Sequence, residues 1–327
     1  MRTYLLPEHG NFYKVNMHSH STLSDGKQTP EELKELYMAQ GYSAIAYTEH
    51  TRLHDLTHLT DENFVAILSY EIDFLNKEKA PFCFVDQPTE FAHMEAVHMN
   101  LYARDPHNAA AIELKDLKTE FTLENINEAV RRAREAGFFV IYNHPHWSMN
   151  THELYANLKG VQGLEIVNGA SNVASDLDYT PHVYDEMTCS GQRLICVGGD
   201  DNHYYPTHFF RAWTVMKADE LTHEALIGAM EAGNCYASTG PEIYDLYLDE
   251  EDGEMKVTIR TSAAAGIYCS TATRRRYRKL MNENGGVPLT EATFKINPTD
   301  FCFRISVKDE HGNHANTRFY FLDELSK

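Results

Sequence analysis

No stretch of this 327-residue chain approaches the roughly 18 apolar residues that a bilayer-spanning helix requires. The opening residues, MRTYLLPEHG, lack a basic segment followed by an apolar one, so no secretory signal is legible. Cysteine is sparse and scattered: Cys83, Cys189, Cys196, Cys235, Cys269 and Cys302 form no C-x-x-C pair, which fits reduced thiols in a cytoplasmic protein. Positive charge is scarce too, with 29 Lys and Arg against 48 Asp and Glu and a formal net charge of -19. Such a field repels polyanions and argues against long nucleic acid as a partner. It does not exclude a small phosphorylated ligand, because bound metal ions can make a local site strongly positive.

What the chain does have is a normal globular composition, with 43% hydrophobic and 24% charged residues, and length for one large domain plus one small one. It also has 18 histidines, a first hint of metal chemistry. Up to about residue 240, short apolar runs alternate with amphipathic helices. Thr29-Pro30-Glu31-Glu32 reads as a helix start, with the helix ending at Gly41; Thr122 to Gly137 and Thr222 to Gly233 bound two more. Apolar runs then deliver chemistry at their ends: Ala44–Tyr47 leads to His50, Val65–Leu68 to Glu71, Phe138–Tyr142 to His144 and Leu194–Val197 to Asp201. In α/β folds that edge is where sites assemble. Residues 1–240 are therefore expected to form a barrel-like α/β domain, and 241–327, where short strands and turns replace the helical period, a small all-β sandwich.

His18-Ser19-His20 follows a probable strand, and residues two apart on a strand share a face, so two imidazoles can grip one ion. A lone H-x-H is a weak signal; with Ser24-Asp25-Gly26 behind it the pattern gains specificity. Asp201-Asn202-His203 is a second such pair, and Asn143-His144-Pro145-His146, Tyr70-Glu71 and His98 complete the set. Taken singly, Glu71 reads equally as a solvated strand end and His98 as a core histidine; the joint pattern points to metal.

In their order, these motifs resemble the polymerase and histidinol phosphatase (PHP) family of metal-dependent phosphoesterases, over residues 12 to about 240. Gly233 to Pro241 followed by a β domain resembles, more loosely, a branch that includes carbaryl-hydrolase-like proteins. Two departures stand out: Glu49 replaces the usual aspartate of a T-D-H motif, and Asn16 stands where an aspartate is frequent. Neither is a direct ligand in the family pattern; both bear on metal and substrate preference. The resemblance implies a distorted seven-stranded β/α barrel holding two or three divalent ions. His18, His20, Glu71 and Asp201 would hold one; Glu71 would bridge to a second with His98 and His144; Asp25, His50 and His203 would hold a third. The mixed nitrogen and oxygen donors suit Zn²⁺, Mn²⁺ or Fe²⁺. The expected activity is hydrolysis of a small phosphorylated molecule, such as a nucleotide, by a metal-bridging hydroxide. The alternatives are a carboxylic or carbamic ester hydrolase on the same metals and a non-catalytic binding module. His146 is a candidate general acid, and Arg52 and Arg211 are candidate phosphate clamps, each weighed against a surface role. The basic run Arg274–Lys279 reads as a solvated surface segment, and His54, His58, His107, His182 and His311 as surface histidines.

Overall fold

The computed structural model describes residues 1–81, 87, 90–108 and 113–325; Cys83 lies outside them, and Cys189, Cys196, Cys235, Cys269 and Cys302 are free thiols. In chain order the first strands are β1 (Arg2–Tyr4), β2 (Asn11–Asn16), β3 (Ala44–Tyr47), β4 (Val65–Leu75), β5 (Ala96–Ala103), β6 (Phe138–Tyr142), β7 (Gly163–Asn168) and β8 (Ile195–Gly199). Strands β2 to β8 lie side by side in that order, parallel except that β5 runs against both β4 and β6. The end of β8 comes back to the end of β2: Ser19 bridges Asn202, and the Asp201 amide donates to the His18 carbonyl at 2.9 Å.

The helices form where the caps dictate. For α1 (Pro30–Met38), Thr29 and Glu32 make a reciprocal capping box, an arrangement that contributes about 1 kcal/mol. Helix α2 (Leu123–Glu135) buries Ile126, Ala129, Val130 and Ala133, the stripe of a helix laid on a sheet. Helix α3 (Pro181–Cys189) packs beside β7. Helix α4 (His223–Ala232) starts at Thr222 and stops at Gly233, whose φ of 70° suits a residue without a Cβ. No helix among the described residues is long and apolar enough to cross a membrane.

The second half of the chain adds β9 (Trp213–Ala218), β10 (Cys235–Ser238), β11 (Ile243–Glu251), β12 (Glu254–Ala264), β13 (Gly266–Thr271), β14 (Arg276–Leu280), β15 (Leu289–Ile296), β16 (Cys302–Lys308), β17 (His314–Thr317) and β18 (Tyr320–Phe321). Here the expected division at residue 240 is crossed twice. The large sheet runs without a break from β2 through β9 and β10 into β17, β16, β13 and β14. Strand β1, at the other end of the chain, joins β11, β12 and β15 in a separate four-stranded sheet. Leu246, Ile259 and Phe294 of that sheet share one buried cluster with Ile267, Ile305 and Val307 of the large one. The basic run ends in β14, the outermost strand of the large sheet, where charged side chains discourage pairing with another chain.

Candidate metal centre

Three ligand deliveries follow the expected rule: His50, His144 and Asp201 stand just past the ends of β3, β6 and β8. Glu71 does not. It lies inside β4, because the antiparallel ladder with β5 carries that strand on to Leu75. The same ladder places His98, near the start of β5, opposite Asp73 at the far end of β4. His18 and His20 are also off their strand, since β2 ends at Asn16; Ser19, in its bridge to Asn202, separates them.

All nine sequence-derived donors converge. Glu71 is the hub: its Oε1 lies 3.3 Å from His18 Nε2, 3.2 Å from His98 Nδ1 and 3.6 Å from His144 Nε2. Its Oε2 lies 3.2 Å from His50 Nδ1 and 3.6 Å from His20 Nε2. Asp201 Oδ1 faces His20 Nε2 at 3.1 Å and His18 Nε2 at 3.4 Å. Asp25 is more exposed, with Oδ1 3.3 Å from His203 Nε2 and Oδ2 3.8 Å from His50 Nε2. Four overlapping groups could each hold an ion: His18, Glu71 and His144; His18, His20 and Asp201; His50, Glu71 and His98; and His20, Asp25, His50 and His203. His50 thus stands with Glu71 and His98 as well as with Asp25 and His203, where the family pattern gives it only the latter role.

The donors fit metal ions on two counts. Ion–donor bonds near 2.1 Å set donor–donor spacings of about 3 to 3.5 Å, close to the 3.1 to 3.6 Å between the imidazoles and Glu71 or Asp201 Oδ1 given above. Moreover, His18 Nε2, His20 Nε2 and Glu71 Oε2 are buried with no hydrogen-bond partner. Buried polar atoms are ordinarily satisfied, and an ion satisfies all three.

The electrostatics agree. Burial pushes the His18 imidazole down, but Asp201, Glu165 and Glu71 outweigh it and hold His18 well above the usual histidine range. Burial would raise the Glu71 carboxyl, yet His18, His98 and His50 drive it well below the usual carboxylate range. Without an ion, protons and imidazoles balance the carboxylates; cations take over that role when they bind.

A layer behind the ligands fixes their orientation. His18 Nδ1 meets Glu165 Oε1 at 2.9 Å, Asn143 donates to Glu71 Oε1 at 2.8 Å, and Asn168 donates to Asp201 Oδ2 at 3.0 Å. Asn16 accepts the amides of His18 and Asp200. Glu49 accepts the Ser21 amide and the hydroxyls of Ser21 and Ser24, gathering the turn that carries Asp25. The two departures from the family motifs therefore hold backbone and turn beside the ligands and touch no candidate ion. Thr51, His144 and Asp201 have φ of 64°, 22° and 52°, a region costly for residues with a Cβ, and such strain gathers at functional sites.

Glu165 and Asn168 escaped the sequence reading. The available signal was a lone carboxylate inside the apolar run Leu164-Glu165-Ile166-Val167, where a charge needs a partner.

Seven of the nine donors, all but His18 and His20, line a cleft of about 430 Å³ with Thr51, Asp73, Phe91 and Trp147. The three residues proposed to handle substrate do not line it. His146 Nε2 faces Nε2 of His182, an exposed surface histidine as expected, at 3.0 Å. Arg211 is exposed and its Nε donates to the Thr207 carbonyl at 3.1 Å. Arg52 is exposed beyond His50.

No family model matches the chain, and no curated protein matches it. Among solved structures it is similar to a two-domain protein from Bacteroides vulgatus containing a predicted PHP-like metal-dependent phosphoesterase. That likeness has 15% identity, covers 97% of each chain and has a TM-score of 0.48. It is also similar to an amidohydrolase from Chromobacterium violaceum with bound sulfate and no metal, at 15% identity over 59% of this chain and 88% of that one, with a TM-score of 0.40. A protein from Bifidobacterium adolescentis, provisionally named a metal-dependent phosphoesterase, is similar at 16% identity over 69% and 96% of the two chains, with a TM-score of 0.37.

Proposed function

We propose that this chain is a metal-dependent hydrolase that cleaves a small phosphomonoester in the cleft around Glu71, with two or three Zn²⁺, Mn²⁺ or Fe²⁺ ions held by the nine donors, and that β2 to β8 close as the distorted barrel around them. The observation that carries this reading is the buried, unsatisfied trio of His18 Nε2, His20 Nε2 and Glu71 Oε2. A vestigial site that takes no ion has no reason to keep such atoms without hydrogen bonds, because each costs free energy until an ion arrives.

Ions held there would supply Lewis acidity toward an ester oxygen, an acidified water, and positive charge to balance a phosphoryl group. The chain's own part is positioning. Glu71 presents both oxygens to two groups of imidazoles. Glu165 holds His18 by its far nitrogen, leaving Nε2 free for an ion. The floor of the site, with His18, Glu71 and His144, is buried, which strengthens charge interactions there. The acidic exterior disfavours long polyanions, so the substrate is small.

A second reading rests on one feature of the cleft: among the described residues, no Lys or Arg lines it. A carboxylic or carbamic ester needs no anion clamp, so ester hydrolysis on the same ions is the rival. The deciding experiment measures metal content, then compares nucleoside monophosphates, sugar phosphates, short oligonucleotides and aryl esters, each with Mn²⁺ and Zn²⁺. A preference for phosphomonoesters supports the proposal; a preference for aryl esters replaces it with the rival; trace metal with no binding on titration overturns both.

A further inference from the structure

We propose that Trp147, with Phe91 beside it, is a binding wall for a planar ring attached close to the scissile group of the substrate. This rests on the hydrolase reading above and names the substrate class within it: small esters whose leaving group carries an aromatic ring.

Both rings line the cleft that holds the donors, and both are large apolar surfaces left in water, with 37% of Trp147 and 58% of Phe91 exposed. Exposed apolar area next to a polar, ion-binding floor is the usual makeup of a ligand pocket, in which apolar walls supply affinity and a few polar groups supply orientation. The two rings touch, with centroids 6.0 Å apart and planes 50° apart, so they leave no slot between them and Phe91 flanks the Trp147 face at an angle.

The wall is placed firmly. The amides of His146 and Trp147 both donate to the buried carboxylate of Asp178 at 2.9 Å, and Asp178 also accepts from Ser171. The Trp147 ring stands nearly perpendicular to the His144 imidazole at 5.2 Å and tilted against that of His98 at 5.5 Å. A ring lying on Trp147 is therefore within one side chain of two candidate ligands. That proximity leaves little room for a spacer, so the ring must sit one or two bonds from the ester oxygen. With no Lys or Arg in the described lining, ring contact is the main means by which the chain itself discriminates among small phosphates. Aromatic faces stack on planar rings more favourably than on puckered ones of equal size.

The experiment uses benzyl phosphate and cyclohexylmethyl phosphate, whose leaving alcohols are similarly basic, with methyl phosphate as a ringless reference. In the metal-loaded protein, KM for benzyl phosphate should be about fivefold lower than for cyclohexylmethyl phosphate. Trp147→Ala should abolish that preference, read as the ratio of the two KM values within the same variant, and Trp147→Phe should retain most of it. Binding is read separately from turnover in Trp213→Phe, where Trp147 is the only remaining tryptophan. Its fluorescence should change saturably with benzylphosphonate, at lower concentration than with cyclohexylmethylphosphonate. If the phosphonates discriminate but no phosphate is hydrolysed, the ring wall stands and the phosphoesterase reading falls. Equal binding of the two phosphonates, or a benzyl preference that survives Trp147→Ala, overturns the ring wall.

Discussion

The carboxylate of Glu165 meets Nδ1 of His18 at 2.9 Å, and both side chains are fully buried. The contact keeps the proton on Nδ1, so Nε2, which lies between Glu71 and Asp201, is the nitrogen that gives up its proton to take an ion. Glu165 also takes the His144 amide and the Asn168 side chain, so one carboxylate orients two candidate ligands and the residue behind a third. Glu165→Gln keeps the volume and removes the charge. We expect metal affinity to fall about 10- to 100-fold, read by competition with a chelator of known strength. Unchanged affinity would show that His18 needs no such partner.

Glu71 reaches two imidazoles at 3.2 Å and three more at 3.3 to 3.6 Å, a density that suits a carboxylate shared between ions. Glu71→Gln should lower turnover at least about a hundredfold, because the ions lose the shared negative charge that lets them sit together. The β4–β5 ladder does not depend on that carboxylate, so the far-ultraviolet circular dichroism should be unchanged. Activity near the wild-type level with a full metal complement would remove Glu71 from the centre.

The cluster of candidate donors was legible in the sequence because metal donors have few substitutes and several of these sit just past strand ends marked by local patterns. His50 follows Ala44–Tyr47, and His144 follows Phe138–Tyr142, as the apolar runs require. What escaped is non-local. Glu71 lies within a strand only because β5 pairs antiparallel to it, a choice no residue near Glu71 announces. The pairing of β1 with β11 ties the N-terminal strand to a strand more than 240 residues away, and β10 with β17 fuses the two halves into one sheet. Arg52 and Arg211 read as clamps by adjacency to motif histidines, but adjacency in sequence does not aim a long side chain at the cleft.

Their positions lead to a prediction of weak effects. Arg52 is exposed and Arg211 spends its Nε on the Thr207 carbonyl. Truncating Arg211 leaves its backbone amide on Asp200 intact. Arg52→Ala and Arg211→Ala should each change KM for a phosphomonoester by less than about twofold, as expected of surface charges. A tenfold rise in KM from either would mean that the side chain swings into the cleft when substrate binds, restoring the clamp role.

The last prediction concerns what holds the two halves together. Arg304 of β16 is buried, and its Nε donates to Asp185 of α3 at 2.7 Å. Its Nη1 reaches Asn316 Oδ1 at 3.4 Å, so Asp185 is the one anion that balances it among its described partners. The dependence is not mutual, because Asp185 is partly exposed and also faces Arg276 at 3.9 Å. Removing one member of a buried pair costs about 3–5 kcal/mol when the other is stranded. Asp185→Ala strands a buried guanidinium and should fall in that range. Arg304→Ala leaves a carboxylate with solvent and a second arginine, so it should cost less, about 1–3 kcal/mol from lost hydrogen bonds and packing. Replacing both by apolar residues of similar size, Arg304→Met with Asp185→Leu, should recover much of the loss. Urea unfolding of the metal-loaded protein orders the three variants. If Arg304→Ala proves the more damaging single change, the asymmetry of the pair is wrong, and Asp185 depends on Arg304 rather than the reverse.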